Sequence, residues 1–99
     1  MAVLVIASAQ IDKELYQKLL GDIAWEAQRP EGAIFHCAAF DQAGVVHVVD
    51  VWESEEAAVR HFERHVLPVF MERKLAAPKL SMMPVHDMAA HEGIELFRL

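Results

Sequence analysis

Ninety-nine residues and 11.2 kDa give room for one small domain, of a size that alone buries a modest fraction of its surface and often gains stability by pairing with a copy of itself. The composition is 55% hydrophobic and only 24% charged, so part of the apolar surface is expected to meet a partner. A formal net charge of -6 and a pI near 5.4 argue against nucleic-acid binding, which rests on clustered Lys and Arg. The single cysteine, Cys37, rules out an intrachain disulfide and fits a reducing compartment; lying in an apolar run, it reads as a buried, inert thiol.

Met1 to Ala9 is hydrophobic but short, lacks a basic start and leads at once into an amphipathic pattern. It therefore reads as a first strand, Ala2 to Ala9, rather than a signal peptide or membrane span, and the protein as soluble and cytoplasmic. Asp12 then caps a helix in which Leu15, Leu19 and Ile23 recur at four-residue spacing, with Tyr16, Leu20 and Ala24 beside them. Arg29-Pro30-Glu31-Gly32 supplies a turn, and a second strand runs from Ala33 to Asp41. Asp41-Gln42-Ala43-Gly44 places Asp at the first position of a type I turn and Gly at a left-handed bulge position, so a hairpin leads into a third strand, Val45 to Glu53.

Ser54 caps the next helix, with Glu55 and Glu56 in the first turn where the helix dipole favours negative charge. This helix extends at least to Leu67 and carries a buried stripe of Ala58, Phe62, Val66 and Val69. Pro68 kinks or ends it, and Pro78 stops any continuation. A fourth strand covers Lys79 to His86. Residues 87–99 form a tail whose Ile94, Leu96 and Phe97 are apolar enough to pack on a partner subunit.

Strand, helix, strand, strand, helix, strand is the order of an α+β, ferredoxin-like plait: a four-stranded antiparallel sheet with both helices on one face, here as one domain spanning residues 1–99. Counting the hairpin outward from a bulge at Gly44 sets Ala38 opposite Val48, His36 opposite Asp50 and Ile34 opposite Trp52. One face then holds Ile34, His36, Ala38, Phe40, Val46, Val48, Asp50 and Trp52, and suits a cavity. The other holds Ala33, Phe35, Cys37, Ala39, Val45, His47, Val49 and Val51, and suits contact with helices. A turn without the bulge would separate His36 from Asp50, so the site depends on one residue of register.

A buried Asp beside a His can orient the ring, hold one tautomer and strengthen it as a proton acceptor, which makes His36 and Asp50 a candidate general base pair. The same two residues could instead satisfy each other inside an interface and do no chemistry. Trp52, Phe40 and Ile34 offer contacts for an aromatic ligand, although a Trp at a strand end also serves simply as core. His61 and His65, four apart on the second helix, share a face, with His61 bordering the cleft. No third metal ligand is evident beyond importing His86 or His91, and no metal site is assigned. Met71, Met82, Met83 and Met88 can fill irregular gaps or line an adaptable pocket.

The run Val-Val-Asp-Val-Trp-Glu-Ser-Glu-Glu-Ala followed by His61, on this order of elements, resembles the dimeric α/β-barrel superfamily and within it the antibiotic biosynthesis monooxygenase-like domain. The resemblance covers nearly the whole chain. It implies a homodimer whose sheets pack into a barrel, with a ligand cleft in each protomer between sheet and helices. Members include cofactor-free monooxygenases of aromatic polyketides, heme-degrading enzymes, isomerases and cyclases. The heme-degrading members rely on an Asn, a Trp and a His, and the polyketide-oxidising members are helped by an Asn; this chain has no Asn and carries His61 where the heme degraders have their Trp. That argues against heme degradation by that triad.

The sequence thus points to a homodimer binding a small apolar or aromatic molecule. As an enzyme it would work without a cofactor: His36 takes a proton from a phenol or activated carbon, Asp50 orients it, and Trp52 with Phe40, Ile34 and His61 holds the ring, giving a monooxygenase of phenol or hydroquinone substrates. The alternatives are a non-catalytic ligand-binding or structural dimer, an isomerase or cyclase, and a metal or heme binder.

Overall fold

A computed structural model describes residues 1–23 and 29–97, with side chains through residue 20 in the first segment. The elements are β1 (Val3–Ala9), α1 (Lys13–Ile23), β2 (Ala33–Phe40), β3 (Val46–Trp52), α2 (Glu55–His61), a π-helical segment (Phe62–Val66), α3 (Leu67–Glu72), β4 (Lys79–Pro84) and a 3-10 helix (Glu92–Phe97). The strands form one antiparallel sheet in the order β2-β3-β1-β4, which is the expected ferredoxin-like plait. The expected burial of Ile23 and Ala24 lies outside the described residues, as does the end of the tail at 98–99.

Local chemistry sets the element starts. The Asp12 carboxylate accepts the Leu15 N–H at 2.8 Å, and the Ser54 hydroxyl accepts the Ala57 N–H at 3.1 Å, so both helices start on side-chain caps. In the β2–β3 turn, Asp41 Oδ1 accepts the Ala43 and Val45 N–H groups at 2.9 and 3.0 Å while Gly44 sits at φ 82°. Only a residue at ease in the left-handed region closes the hairpin this way. The pairing follows the count from the turn, Phe40 with Val46 through Ala38 with Val48 to His36 with Asp50.

At the far end of the hairpin the register departs from that count. Ala33, not Ile34, lies opposite Trp52, and Phe35 pairs with Val51, so Ile34 is the extra residue of a bulge and is 43% exposed. The cause is the turn before β2. The Ala33 N–H bonds the Pro30 carbonyl at 3.0 Å, Gly32 has φ 84°, and its carbonyl accepts the Glu53 N–H at 2.8 Å. A Cβ on Gly32 would stand 2.6 Å from the Ala57 Cβ, so the chain passes tightly beneath α2 and turns Ala33 inward to 1% exposure.

The two faces of the sheet are also used the other way round from the expectation. The His36 face, with Ala33, Ala38, Val46, Val48, Asp50 and Trp52, packs under the helices against Leu15, Leu19, Leu20, Ala57, Ala58, Val66 and Phe70. The more aliphatic set is the uncovered one, with Cys37, Ala39 and His47 exposed, although Val51 at its end is 5% exposed. Cys37 is therefore an exposed thiol rather than a buried one. Hydrophobicity does not choose the covered face; the hand of the strand–helix–strand crossovers does, and that is set by strand twist. The polar groups on the covered face satisfy one another instead.

The second helix survives Pro68 by loosening. Leu67 N–H reaches back five residues to the Phe62 carbonyl, and this π-turn absorbs the missing donor and bulky ring of the proline before α3 resumes. The stripe then ends on Phe70, 4% exposed, rather than on Val69. The helix stops at Glu72, ahead of Pro78: Leu75 N–H bonds the Phe70 carbonyl at 2.8 Å and Lys74 N–H the Met71 carbonyl at 3.1 Å, with Lys74 at φ 57°. That is a Schellman stop with a lysine in the position glycine usually takes. β4 is shorter than expected, though Val85 N–H still pairs with the Ala2 carbonyl at 2.9 Å. Leu96 and Phe97 on the 3-10 helix are each 85% exposed. Among the described residues no helix is long and apolar enough to cross a membrane.

Candidate functional site

Between the covered sheet face and the helices lies a cavity of about 140 Å³, walled largely by apolar side chains from β1, α1, β3, α2 and the π segment. An apolar space of this size matches the engineered cavity that takes up benzene, so it accommodates about one aromatic ring. Three polar side chains meet at its wall. His36 Nδ1 lies 2.7 Å from Asp50 Oδ1, and the Tyr16 hydroxyl lies 2.8 Å from His36 Nε2.

Each member is placed by an ordinary structural rule. His36 and Asp50 are direct partners on neighbouring strands, where side chains on the same face come within reach of each other. Tyr16 follows Leu15 on α1, at the edge of the stripe that faces the sheet. Its ring is held by the edge of Phe40, centroid to centroid 5.6 Å at 87°, and Lys13 lies over the other aromatic at 5.6 Å. The His36 and Asp50 side chains are 9% and 15% exposed, so this is a nearly dry pair, in which the carboxylate needs its hydrogen-bond partner.

Hydrogen-bond logic sets the protons. An ionised Asp50 can only accept, so it takes the proton of Nδ1; in the neutral imidazole Nε2 then keeps a lone pair, to which the Tyr16 O–H donates. Burial pushes the Tyr16 phenol up to about 12, with the negative charge of Asp50 and then Cys37 adding to the effect. The phenol thus stays protonated and serves as a donor.

His61 and Trp52 form a second patch of the wall. Their ring centroids are 4.8 Å apart, and Trp52, at 1% exposure, is the largest fully buried side chain among the described residues and a member of the core with Val3, Val5, Ala33 and Ala57. Burial lowers the His61 imidazole to about 4, with neighbouring His65 pushing the same way and Asp50 opposing, so His61 is neutral near pH 7. Its Nδ1 is buried without a hydrogen-bond partner among the described residues.

Of the residues singled out from sequence, the structure gathers His36, Asp50, Trp52 and His61 on this cavity. Phe40 stands behind Tyr16 rather than in the wall, and Ile34 points away because of the bulge. His65 is exposed, its ring 5.4 Å from His61, and no group of three or more His, Cys, Asp or Glu able to hold a metal occurs among the described residues. Tyr16 is the member that sequence reading passed over. Its signal was present, since a tyrosine beside the buried stripe of α1 must put its hydroxyl near a sheet, but nothing in the sequence told which sheet residue it would meet.

No family model matches the sequence, and no curated protein matches it. Solved structures do. SnoaB, a cofactor-independent oxygenase from Streptomyces nogalater, is 14% identical with a TM-score of 0.63, over 91% of this chain and 98% of that one. A candidate antibiotic biosynthesis monooxygenase from Deinococcus radiodurans is 14% identical with a TM-score of 0.60, over 94% and 100%. NE2512 of Nitrosomonas europaea, a protein of unknown function, is 12% identical with a TM-score of 0.69, over 93% and 96%. Likeness at this level of identity establishes a shared protomer fold.

Proposed function

We infer that this chain, which has the antibiotic biosynthesis monooxygenase-like fold, is a homodimeric enzyme that deprotonates a small phenol, hydroquinone or anthrone-type molecule in its cavity and lets dioxygen oxidise the anion without a cofactor. The observation that carries the reading is the His36–Asp50 pair, held at 2.7 Å on the wall of an apolar cavity sized for a ring. A proton acceptor in a dry pocket favours formation of an electron-rich anion, and such an anion can pass an electron to oxygen. The oxygen then joins the ring carbon as a peroxide. Reprotonation and loss of water leave a new carbonyl, so a ring CH2 and O2 become C=O and H2O.

Within this scheme His36 stores the substrate proton and returns it to the peroxide, while Asp50 keeps the imidazole in the receptive tautomer. The Trp52 and His61 rings form the wall against which the substrate ring lies. Neutral His61 presents a buried nitrogen that suits a second oxygen of the substrate, which favours dihydroxy or keto-hydroxy rings over plain hydrocarbons. The fold it shares with a cofactor-independent oxygenase supports the same class.

The test is oxygen uptake with a panel of hydroquinones and anthrones, native protein against His36→Ala. Uptake that falls by about 100-fold or more in the variant is expected for loss of a general base. Equal rates in both would remove His36 from the chemistry, and binding without any turnover would leave a ligand-binding protein instead.

A further inference from the structure

Resting on that reading, we propose that the substrate proton reaches His36 through the Tyr16 hydroxyl, so that Tyr16 is the group that touches the substrate. His36 has two ring nitrogens, and both are engaged: Nδ1 with Asp50 at 2.7 Å and Nε2 with the Tyr16 hydroxyl at 2.8 Å. The only basic lone pair of the neutral ring is therefore covered by the phenol hydrogen. A hydroxyl that donates its proton still keeps two acceptor lone pairs, and Tyr16 lines the cavity. A substrate O–H that points at Tyr16 meets an acceptor whose own proton has somewhere to go.

The step balances within the chain. The substrate O–H or acidic C–H bond breaks and its proton forms a new O–H bond on Tyr16; the former Tyr16 proton moves to His36 Nε2. The products are a substrate anion, a neutral tyrosine and an imidazolium beside the Asp50 carboxylate. No phenolate need accumulate on Tyr16. This resolves an apparent conflict, since a phenol held up near 12 is a poor base by itself yet a good conduit when its proton leaves as another arrives. Swinging the tyrosine aside to bare Nε2 would break its hydrogen bond and its edge contact with Phe40, which hold the ring in line.

Ionisation of bound 4-nitrophenol, read from its yellow phenolate band, tests the route without requiring turnover. The relay predicts that native protein binds it as phenolate at a pH where the free compound is a phenol, and that Tyr16→Phe and His36→Ala both bind it but leave it protonated. Turnover of any quinol that the native enzyme oxidises then falls about 100-fold or more in Tyr16→Phe, with KM changed only a few-fold. Ionisation in Tyr16→Phe equal to native, with His36→Ala inactive, overturns the relay and leaves the functional reading standing. Absence of binding or of ionisation in native protein overturns both. Tyr16 is the sole tyrosine of the chain, so biosynthetic 3-fluorotyrosine alters this one hydroxyl without removing it, which covers the case of an unstable phenylalanine variant. The relay predicts a changed ionised fraction in the fluorinated protein, and an unchanged one overturns it.

Discussion

The two faces of the sheet are made from alternate residues of the same strands, yet they are put to opposite uses. The covered face is mixed: Trp52 and Val46 in the core, Asp50 and His36 among them, hydrogen-bonded to each other. The uncovered face is nearly uniform, with Ile6 and Met83 each 42% exposed and Cys37 and Ala39 in the open. Polarity therefore does not tell the covered face of this sheet from the uncovered one. Where a cavity is kept, Tyr16, His36 and Asp50 are half-buried and hydrogen-bonded to one another; where a surface is apolar and bare, a further layer is called for.

Substitutions separate the two faces most sharply at Trp52. Trp52→Ala empties a fully buried position and should cost about 3–5 kcal/mol, a large part of the 5–15 kcal/mol typical of a domain, whereas Phe35→Ala on the other face should cost about 1 kcal/mol in the isolated protomer. Urea denaturation at low protein concentration measures both. Similar losses would show that the uncovered face is part of the protomer core after all.

The two left-handed glycines make a smaller version of the same contrast. Gly32 lies under α2 and has no room for a methyl group, with Ala57 Cβ 2.6 Å from the added atom, while Gly44 at the hairpin tip has nothing within 4 Å. Gly32→Ala should cost about 2–4 kcal/mol, strain at positive φ plus overpacking, and Gly44→Ala only about 1 kcal/mol from the strain. Thermal melts of the two variants rank them directly, and equal shifts would sink the packing argument.

How far these features can be read from the sequence differs between the two ends of one hairpin. At the tip, Asp41 and Gly44 are chemically specific: a carboxylate to hold the turn and a residue free at positive φ, and together they settle the register that brings His36 to Asp50. At the other end, the demand comes from the fit of Gly32 beneath Ala57, a contact between residues 25 positions apart that leaves no local pattern. Counting from the tip therefore misplaces Ile34. Tyr16 and the choice of covered face were hidden in the same way, since both follow from how helices cross the sheet rather than from alternation along a strand. The π-turn was half visible, because Pro68 announces a fault but not its form.

Acidity probes the cavity wall. His61 holds its proton only below about 4 in the folded protein against 6.5 ordinarily, so between those values the unfolded chain binds more protons than the native one. Stability is then full above pH 6.5 and declines as the pH falls toward 4. Because the ring is only partly buried, the loss is discounted to about 1–2 kcal/mol. His61→Gln removes this titration, and the difference between the native and variant curves of denaturation against pH isolates it from the carboxylates. Parallel curves would mean that the ring is protonated freely in the fold.

A small effect on the protomer should accompany the largest effect on assembly. Ile6 stands opposite Val49 and Ser81 at the middle of the uncovered face, 42% exposed, so Ile6→Asp gives up only part of a side chain's packing and places a charge where water reaches it; the cost to an isolated protomer should be about 1 kcal/mol. In a dimer whose sheets pack face to face, the same carboxylate would be buried without a partner charge, and the penalty would fall on association. Light scattering at micromolar concentration should then find native protein at twice the protomer mass and the variant at the protomer mass, with far-ultraviolet circular dichroism unchanged. A variant that still pairs would show that the copies meet elsewhere, for instance through the exposed Leu96 and Phe97, leaving the bare sheet face to another occupant.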